Sequence, residues 1–165
     1  MYRISEKDLK NIFSIQPVTE GDAVHSRVSY FDSRPAKVLP LRPRSLLQRL
    51  ARLHCVDFRR ISRMAAEFNG ISYSPLVFLN PNDVFLPIRC VAGEDGHCRI
   101  EYYNLAHHFG DYDMRPAEDR RTSYLLYRHK PVAHSCWRHK TLCSQLALAW
   151  NFYKAWMLRE FARRR

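Results

Sequence analysis

The segment from Arg42 to Arg63 contains seven arginines, counting both ends, among apolar residues at helical spacing. Arginine keeps its charge and presents a planar fork of donors that fits phosphate oxygens and the narrow minor groove of DNA. Asp57 and Glu67 are the nearby acidic residues in the sequence, so most of these cations lack a local anion. A solvated helix face is the alternative interpretation, but we favour a surface that binds nucleic acid. The expected contacts are, first, Arg59, Arg60 and Arg63 and, second, Arg49, Arg52 and Arg138.

Cysteine and histidine are the side-chain types that hold zinc, and they occur in two stretches of the chain. The stretches contain Cys90, His97, Cys98, His107 and His108, and then Cys136, His139 and Cys143. Neither contains the paired C-x-x-C spacing of a structural zinc site. We therefore expect no metal and no other cofactor.

The sequence also contains residue types that could form a catalytic set, with Ser135 or Cys136 as the nucleophile and His134 or His139 as the base. No sequence signature supports such a set. A nuclease needs clustered carboxylates for magnesium, but Asp95 and Glu101 lie in a stretch that lacks a downstream Lys, and Gly-rich phosphate loops are absent from the sequence. We expect a protein that is not an enzyme.

Composition limits the class of protein. The chain has 165 residues, 46% of them apolar, which suits one domain over residues 1–165. Its formal net charge is +11, and 21 of its 27 basic residues are arginine, which favours a polyanionic partner. Five cysteines without a leading apolar segment predict reduced thiols in the cytoplasm. No stretch is apolar enough to span a membrane, so we expect a soluble protein at the nucleoid with no membrane partner.

The elements that must position the arginines follow from hydrophobic periodicity. Alternating runs predict three short strands at residues 12–15, 27–31 and 37–41. A helix then starts after Pro43 with Ser45 as a plausible N-cap, and its apolar repeat ends at Asn69-Gly70. The pattern fits either one helix that bends near Cys55 or two short helices.

The second half of the chain alternates between strand and turn signals before a final helix. Strands are predicted at residues 76–79, 84–88, 98–105, 123–128 and 132–135, with a turn around His129-Lys130-Pro131 and an exposed loop at residues 110–121. A long helix starts at about Thr141, and its Trp150, Tyr153, Trp156 and Met157 suit a core and oligomer contact better than a base-stacking platform. The fold class is α+β, mainly antiparallel sheet with a central helix and a long C-terminal helix.

The order of these segments resembles the ComK family of competence transcription factors from Gram-positive bacteria, over nearly the whole chain. The matching landmarks are Pro43-x-x-Leu46-Leu47 before Cys55, residues 70–81, Val84-Phe85-Leu86-Pro87, Cys98-Arg99-Ile100-Glu101, and Gln145 in the last helix. By this measure the chain resembles a diverged relative of the family. Ile61 and Ser62 stand near the register of the family's Arg-Lys pair, and Ile100 replaces its tryptophan.

Membership of that family would imply a sequence-specific activator of competence-type genes. Such an activator binds AT-rich double-stranded DNA largely through the minor groove, acts as a homo-oligomer, and is controlled by an adaptor and Clp protease. The alternatives are a general RNA or single-stranded DNA binding protein, a protein interaction module with an acidic partner, and a hydrolase or nuclease.

Overall fold

Short apolar runs separated by turn residues form an antiparallel sheet in the computed structural model, which describes residues 4–72, 76–92, 97–106 and 109–163. The strands are β1 (Ile12–Glu20), β2 (Ala23–Tyr30), β3 (Lys37–Leu39), β4 (Val77–Asn80), β5 (Asp83–Ala92), β6 (His97–Asn104), β7 (Tyr112–Pro116), β8 (Ser123–Tyr127) and β9 (Lys130–Ser135). Within these ranges the sheet order is β3-β2-β1-β6-β5-β9-β8-β7, with β4 paired to the start of β5. The predicted α+β class with a mostly antiparallel sheet is confirmed.

The helical segment in the middle of the chain is two helices, α1 (Pro43–Leu53) and α2 (Phe58–Phe68). Cys55 has a positive φ of 54°, which breaks the helical path, and Asp57 then caps the start of α2. The predicted N-cap at Ser45 is wrong, because α1 already starts at Pro43 after the N-cap residue Arg42. Proline suits the first position of a helix, because a backbone N–H at that position has no acceptor within the helix and its absence costs no hydrogen bond.

The predicted loop at residues 110–121 contains a strand, so that prediction is wrong. β7 pairs with β8, and it alternates buried Tyr112 and half-buried Met114 with exposed Asp113 and Arg115. The charges and the proline obscured this two-residue period in the sequence. The following hairpin turn is Arg128-His129, both at positive φ, so Lys130 and Pro131 belong to β9 rather than to the turn.

Helices cover parts of both faces of the sheet. α1 packs against β1 and β2, where Leu46, Leu47 and Leu50 join one apolar cluster. α2 packs against β4, and the last helix, α3 (His139–Arg163), packs against β7 and β8. They cover a second cluster that includes Ile61 and Phe152. α1 and α2 are therefore anchored by their apolar faces, and their other faces point to solvent.

The aromatic side chains of α3 contact other rings of the chain, but only part of the predicted core position is found, because Tyr153 and Trp156 are half-buried and Trp150 is exposed. Trp156 lies with its ring centroid 5.2 Å from that of Phe78, and Trp150 lies 4.5 Å from Phe109. Among the helices of the described residues, none has the length and apolar character needed to cross a membrane.

Two cysteines that were expected to be reduced form a disulfide, Cys98–Cys136, so the prediction of five free thiols is wrong. The strands that lead to them, β6 and β9, both pair with β5, and this brings the two Cα atoms to 6.7 Å. Nothing in the spacing of the cysteines indicates this contact. Cys55, Cys90 and Cys143 are free thiols.

Candidate nucleic-acid interface

The arginines of the central segment are all exposed, because the apolar residues of α1 and α2 occupy the opposite helix faces. This exposed set, which we call the arginine face, consists of Arg42, Arg44, Arg49, Arg52, Arg59, Arg60 and Arg63. Arg59 and Arg63 are four residues apart and so lie about 6 Å from each other along the axis of α2, on one side of it. The predicted separation of cations from the apolar face is confirmed.

Asp57 is the N-cap residue of α2. Its Oδ1 atom accepts hydrogen bonds from the main-chain N–H groups of Arg59 and Arg60, each 3.0 Å long. The bond from Arg60, supported by the bond from Arg59, lowers the pKa of Asp57 below its ordinary value. This carboxylate therefore stabilises the helix that carries Arg59, Arg60 and Arg63.

The guanidinium groups of the arginine face form no ion pair with a carboxylate of residues 4–72, 76–92, 97–106 and 109–159. Glu67 is one turn beyond Arg63 on α2, but it is exposed and forms no ion pair there. Unpaired surface cations keep their hydration and lose little when they exchange water and counterions for phosphate oxygens. The arrangement can bind a polyanion without first breaking internal salt bridges.

Packing of α3 beside α2 adds a cation that the sequence pattern did not place in the site. Arg60 and Arg159 line one cleft of about 350 Å³, together with Asp57, Met64 and Trp156. The approach of Arg159 to Arg60 depends on how two distant helices pack, so no local signal predicts it. Of the predicted DNA contacts, Arg60 therefore lines a cleft together with a second arginine.

The six predicted contacts are spread over three helices. Arg49 and Arg52 lie on α1, and Arg59, Arg60 and Arg63 lie on α2. Arg138 is exposed at the start of α3, where its carbonyl oxygen accepts from the N–H of Leu142 at 3.1 Å. The neighbouring Trp137 lines the same groove as Arg44, but Arg138 itself does not line it.

The candidate metal ligands are dispersed in the structure. Cys98 and Cys136 bond to each other, and His107 and His108 lie outside the described residues. Within the described ranges no group of three or more His, Cys, Asp or Glu side chains is arranged to hold a metal ion. The third cysteine of the second stretch, Cys143, has its Sγ atom 3.5 Å from His139 Nε2.

The candidate catalytic sets are also not assembled. The Ser135 hydroxyl donates to the carbonyl oxygen of Arg89, and His134 Nε2 lies 2.9 Å from Thr122 Oγ1. Cys136 is occupied by the disulfide. Asp95, considered as a nuclease carboxylate, lies outside the described residues.

Glu101 of β6, the second carboxylate considered for a nuclease, is buried. It accepts hydrogen bonds from the hydroxyl of Tyr103 at 2.5 Å and from Gln16 Nε2 at 3.0 Å. This is a structural network within the sheet.

No family model, curated protein or solved structure matches the chain. The functional argument therefore depends on the geometry and charge of the arginine face.

Proposed function

We propose that this chain binds double-stranded DNA through the arginine face of α1 and α2. The observation that carries the proposal is the set of seven exposed arginines without carboxylate partners in the described residues. DNA carries one negative charge per about 1.7 Å of axis, and neutralising its phosphates releases condensed counterions. A rigid cationic surface on a chain of net charge +11 suits that ligand.

The proposal extends to a preference for AT-rich duplexes. Narrow minor grooves concentrate negative potential and accept inserted arginine side chains, so groove width gives discrimination without hydrogen bonds to base edges. The arginine face offers guanidinium groups and few amide side chains that could read bases. Gln48 is half-buried on α1, and Asn69 donates its side chain to the carbonyl oxygen of Ala65.

The role that fits this binding mode and the family resemblance is that of a transcriptional activator of competence-type genes at the nucleoid. An oligomer on DNA would use the remaining exposed apolar side chains of α3. Leu158 is 70% exposed and Trp150 is 38% exposed, so both are available to a second copy. Control by an adaptor and Clp protease belongs to the same proposal and is supported by the resemblance alone.

Competition binding separates this function from its rivals. A labelled AT-rich duplex is bound at physiological salt and competed with AT-rich duplex, GC-rich duplex, single-stranded DNA and RNA of equal length. The AT-rich duplex should compete best. Equal competition by single strands would instead support a general nucleic-acid binding protein, and release from all nucleic acids with retention on polyglutamate would support an acidic protein partner.

A single-residue variant ties the binding to the proposed surface. Arg60→Ala should weaken binding to every duplex by a similar factor, because a phosphate contact carries no sequence information. The matched control is Arg115→Ala, an exposed arginine on β7. Equal losses in the two variants would show that net charge, rather than the arginine face, determines binding. Incubation with Mg²⁺ should leave the DNA intact, which distinguishes binding from nuclease activity.

A further inference from the structure

A groove of about 540 Å³ opens between the sheet and the three helices, and Arg44 is the residue that it shares with the arginine face. Two cross-strand pairs of β5 and β6 form its floor, Pro87 opposite Tyr102 and Arg89 opposite Ile100. Ile100 is 52% exposed and lies in the exposed first half of β6, where its aliphatic side chain faces the groove. The volume lies in the range of small-molecule sites in proteins.

The walls of the groove come from three different helical segments. Phe58 of α2 and Trp137, just before α3, contribute aromatic rings, and Arg44 of α1 lies at the rim. The lining is mainly apolar, with Gln145 buried at the base of α3 as a polar group. A ligand in this position would have a mostly apolar body.

The wall at Trp137 is held by the backbone on both sides. The N–H of Trp137 donates to Ser135 Oγ at 3.1 Å, and its carbonyl oxygen accepts from Ser123 Oγ at 2.7 Å. The preceding residue, Cys136, is bonded to Cys98 of β6, and its N–H donates to the carbonyl oxygen of Arg89 at 2.7 Å. These bonds fix one wall to the floor, so the groove is preformed and a ligand would not have to order it.

The charge at the groove has one sign. Arg44 and Arg89 line it, both are exposed, and no acidic side chain lines the groove within the described part of the chain. Burial raises the pKa of Tyr102, and the positive charge of the nearby Arg44 offsets part of that rise. A neutral apolar ligand would leave both cations without a counterpart, whereas an anionic group would pair with them.

We propose that this groove binds an amphipathic organic anion, a molecule with an apolar chain or ring body and one carboxylate. The apolar body packs on Phe58, Ile100, Tyr102 and Trp137, and the carboxylate is bound at the rim by Arg44 and Arg89. Arg44 belongs to both the groove and the arginine face, whereas Arg89 and the apolar lining belong to the groove alone. Loss of decanoate binding in Arg89→Gln or Ile100→Glu therefore tests the groove without testing the proposed DNA binding.

Calorimetric titration of the whole chain with decanoate tests the site, with 1-decanol as the neutral molecule of equal chain length. Decyltrimethylammonium reverses the charge, and acetate removes the chain. A carboxylate paired with arginine should make decanoate bind about tenfold more tightly than decanol. Decyltrimethylammonium and acetate should bind more weakly than decanol.

The tryptophans supply an internal control, because the chain has three of them and Trp137 alone lines this groove. In a spectrum of the indole N–H signals, decanoate should shift the Trp137 signal and leave those of Trp150 and Trp156 in place. Each signal is assigned from the corresponding Trp→Phe variant.

Variants at exposed positions test the two parts of the ligand separately. Arg89→Gln and Arg44→Gln should each weaken decanoate binding by up to about tenfold and leave decanol binding unchanged. Ile100→Glu should abolish decanoate binding, because it places a carboxylate in the apolar floor. Arg115→Gln, on β7, should bind decanoate like the parent, and equal melting temperatures confirm that all variants fold.

Four results would overturn the proposal. They are no decanoate binding up to its solubility limit, equal affinity for decanoate and decanol, an unshifted Trp137 signal on binding, and an Ile100→Glu protein that binds normally.

Discussion

Three arginines of the sheet region have carboxylate partners, whereas, within the described part of the chain, the arginines on α1 and α2 do not. In the sheet region, Arg34 Nε lies 3.0 Å from Asp32, Arg99 Nε lies 3.1 Å from Glu101, and Arg128 Nε lies 3.1 Å from Asp111. On the helices, the arginine face has no such partner in the described residues. The same side chain therefore contributes to folding in one region and remains available for a ligand in the other.

This difference has an energetic consequence. Clustered like charges repel each other and contribute nothing to folding unless an anion is present. Paired arginines in the sheet region hold loops and strands in register, most clearly Arg34, which also stacks on Tyr30 at 3.8 Å and donates to the carbonyl oxygen of Lys7. Substitutions in the two regions should have opposite signatures, with loss of ligand affinity in one and loss of stability in the other.

The largest expected effect is on DNA affinity. Combining Arg59→Gln, Arg60→Gln and Arg63→Gln should weaken duplex binding by about a thousandfold near 0.1 M salt, if each removes one phosphate contact. The melting temperature should stay the same or rise slightly, because like-charge repulsion falls. Fluorescence anisotropy and thermal unfolding measure the two quantities. The matched control replaces Arg115, Arg120 and Arg121, three exposed arginines elsewhere, and a thousandfold loss there would contradict the comparison.

The next effect is on stability in the sheet. Glu101 is 5% exposed and accepts hydrogen bonds from Tyr103, Gln16 and Arg99. Glu101→Ala leaves these donors without their acceptor, so the free energy of unfolding should fall by about 2–3 kcal/mol. Urea unfolding measures this loss. DNA affinity per folded molecule should be unchanged, and a large drop in it would show that the two regions are coupled.

A third effect depends on pH and concerns Lys37, another cation that has a carboxylate partner. Its Nζ lies 2.6 Å from Asp8 Oδ1, and mainly this hydrogen bond lowers the pKa of Asp8 from 3.8 to about 2. Since the folded pKa is the lower one, the stabilisation is complete above about pH 4 and disappears as the pH falls through 2.

The variant Asp8→Asn reports this directly. It should lower the free energy of unfolding by about 1–2 kcal/mol at pH 6 and by nearly nothing below pH 2. Asp22→Asn, at the exposed turn after β1, is the control. A loss that does not change with pH would mean that Asp8 acts through packing rather than through its charge.

The smallest effect concerns the hairpin turn that presents Arg128. Arg128 and His129 have φ values of 49° and 64°, a region that favours glycine. His129→Gly should raise the free energy of unfolding by about 1 kcal/mol, because it removes backbone strain and leaves the pair between Arg128 and Asp111 in place. Thermal unfolding at constant pH checks this, with Lys130→Gly in β9 expected to destabilise. A less stable His129→Gly protein would show that the turn is not strained.

The elements that sequence patterns predicted are those with a clean local period. The first three strands, the hairpin of β4 and β5, and α3 follow alternating or helical spacing of apolar residues. β7 was missed because Asp113 and Arg115 occupy its outward positions and look like a loop. The break between α1 and α2 required the left-handed conformation of Cys55, a residue type that seldom adopts it.

The candidate site was predictable to a similar extent. Exposure of Arg59, Arg60 and Arg63 follows from their positions off the apolar face of one helix. The neighbouring Arg159 and the groove lined by Arg89 depend on contacts between residues far apart in the chain, as does the Cys98–Cys136 disulfide. Such contacts leave no trace in spacing or composition.

The most direct test of the arginine face is the salt dependence of duplex binding. The slope of log affinity against log salt concentration counts the phosphates neutralised, at about 0.9 per contact. The Arg59, Arg60 and Arg63 triple variant should have a slope about three units shallower than the parent, whereas the Arg115, Arg120 and Arg121 control should keep the parent slope. Equal slopes for the parent and the first variant would contradict the account.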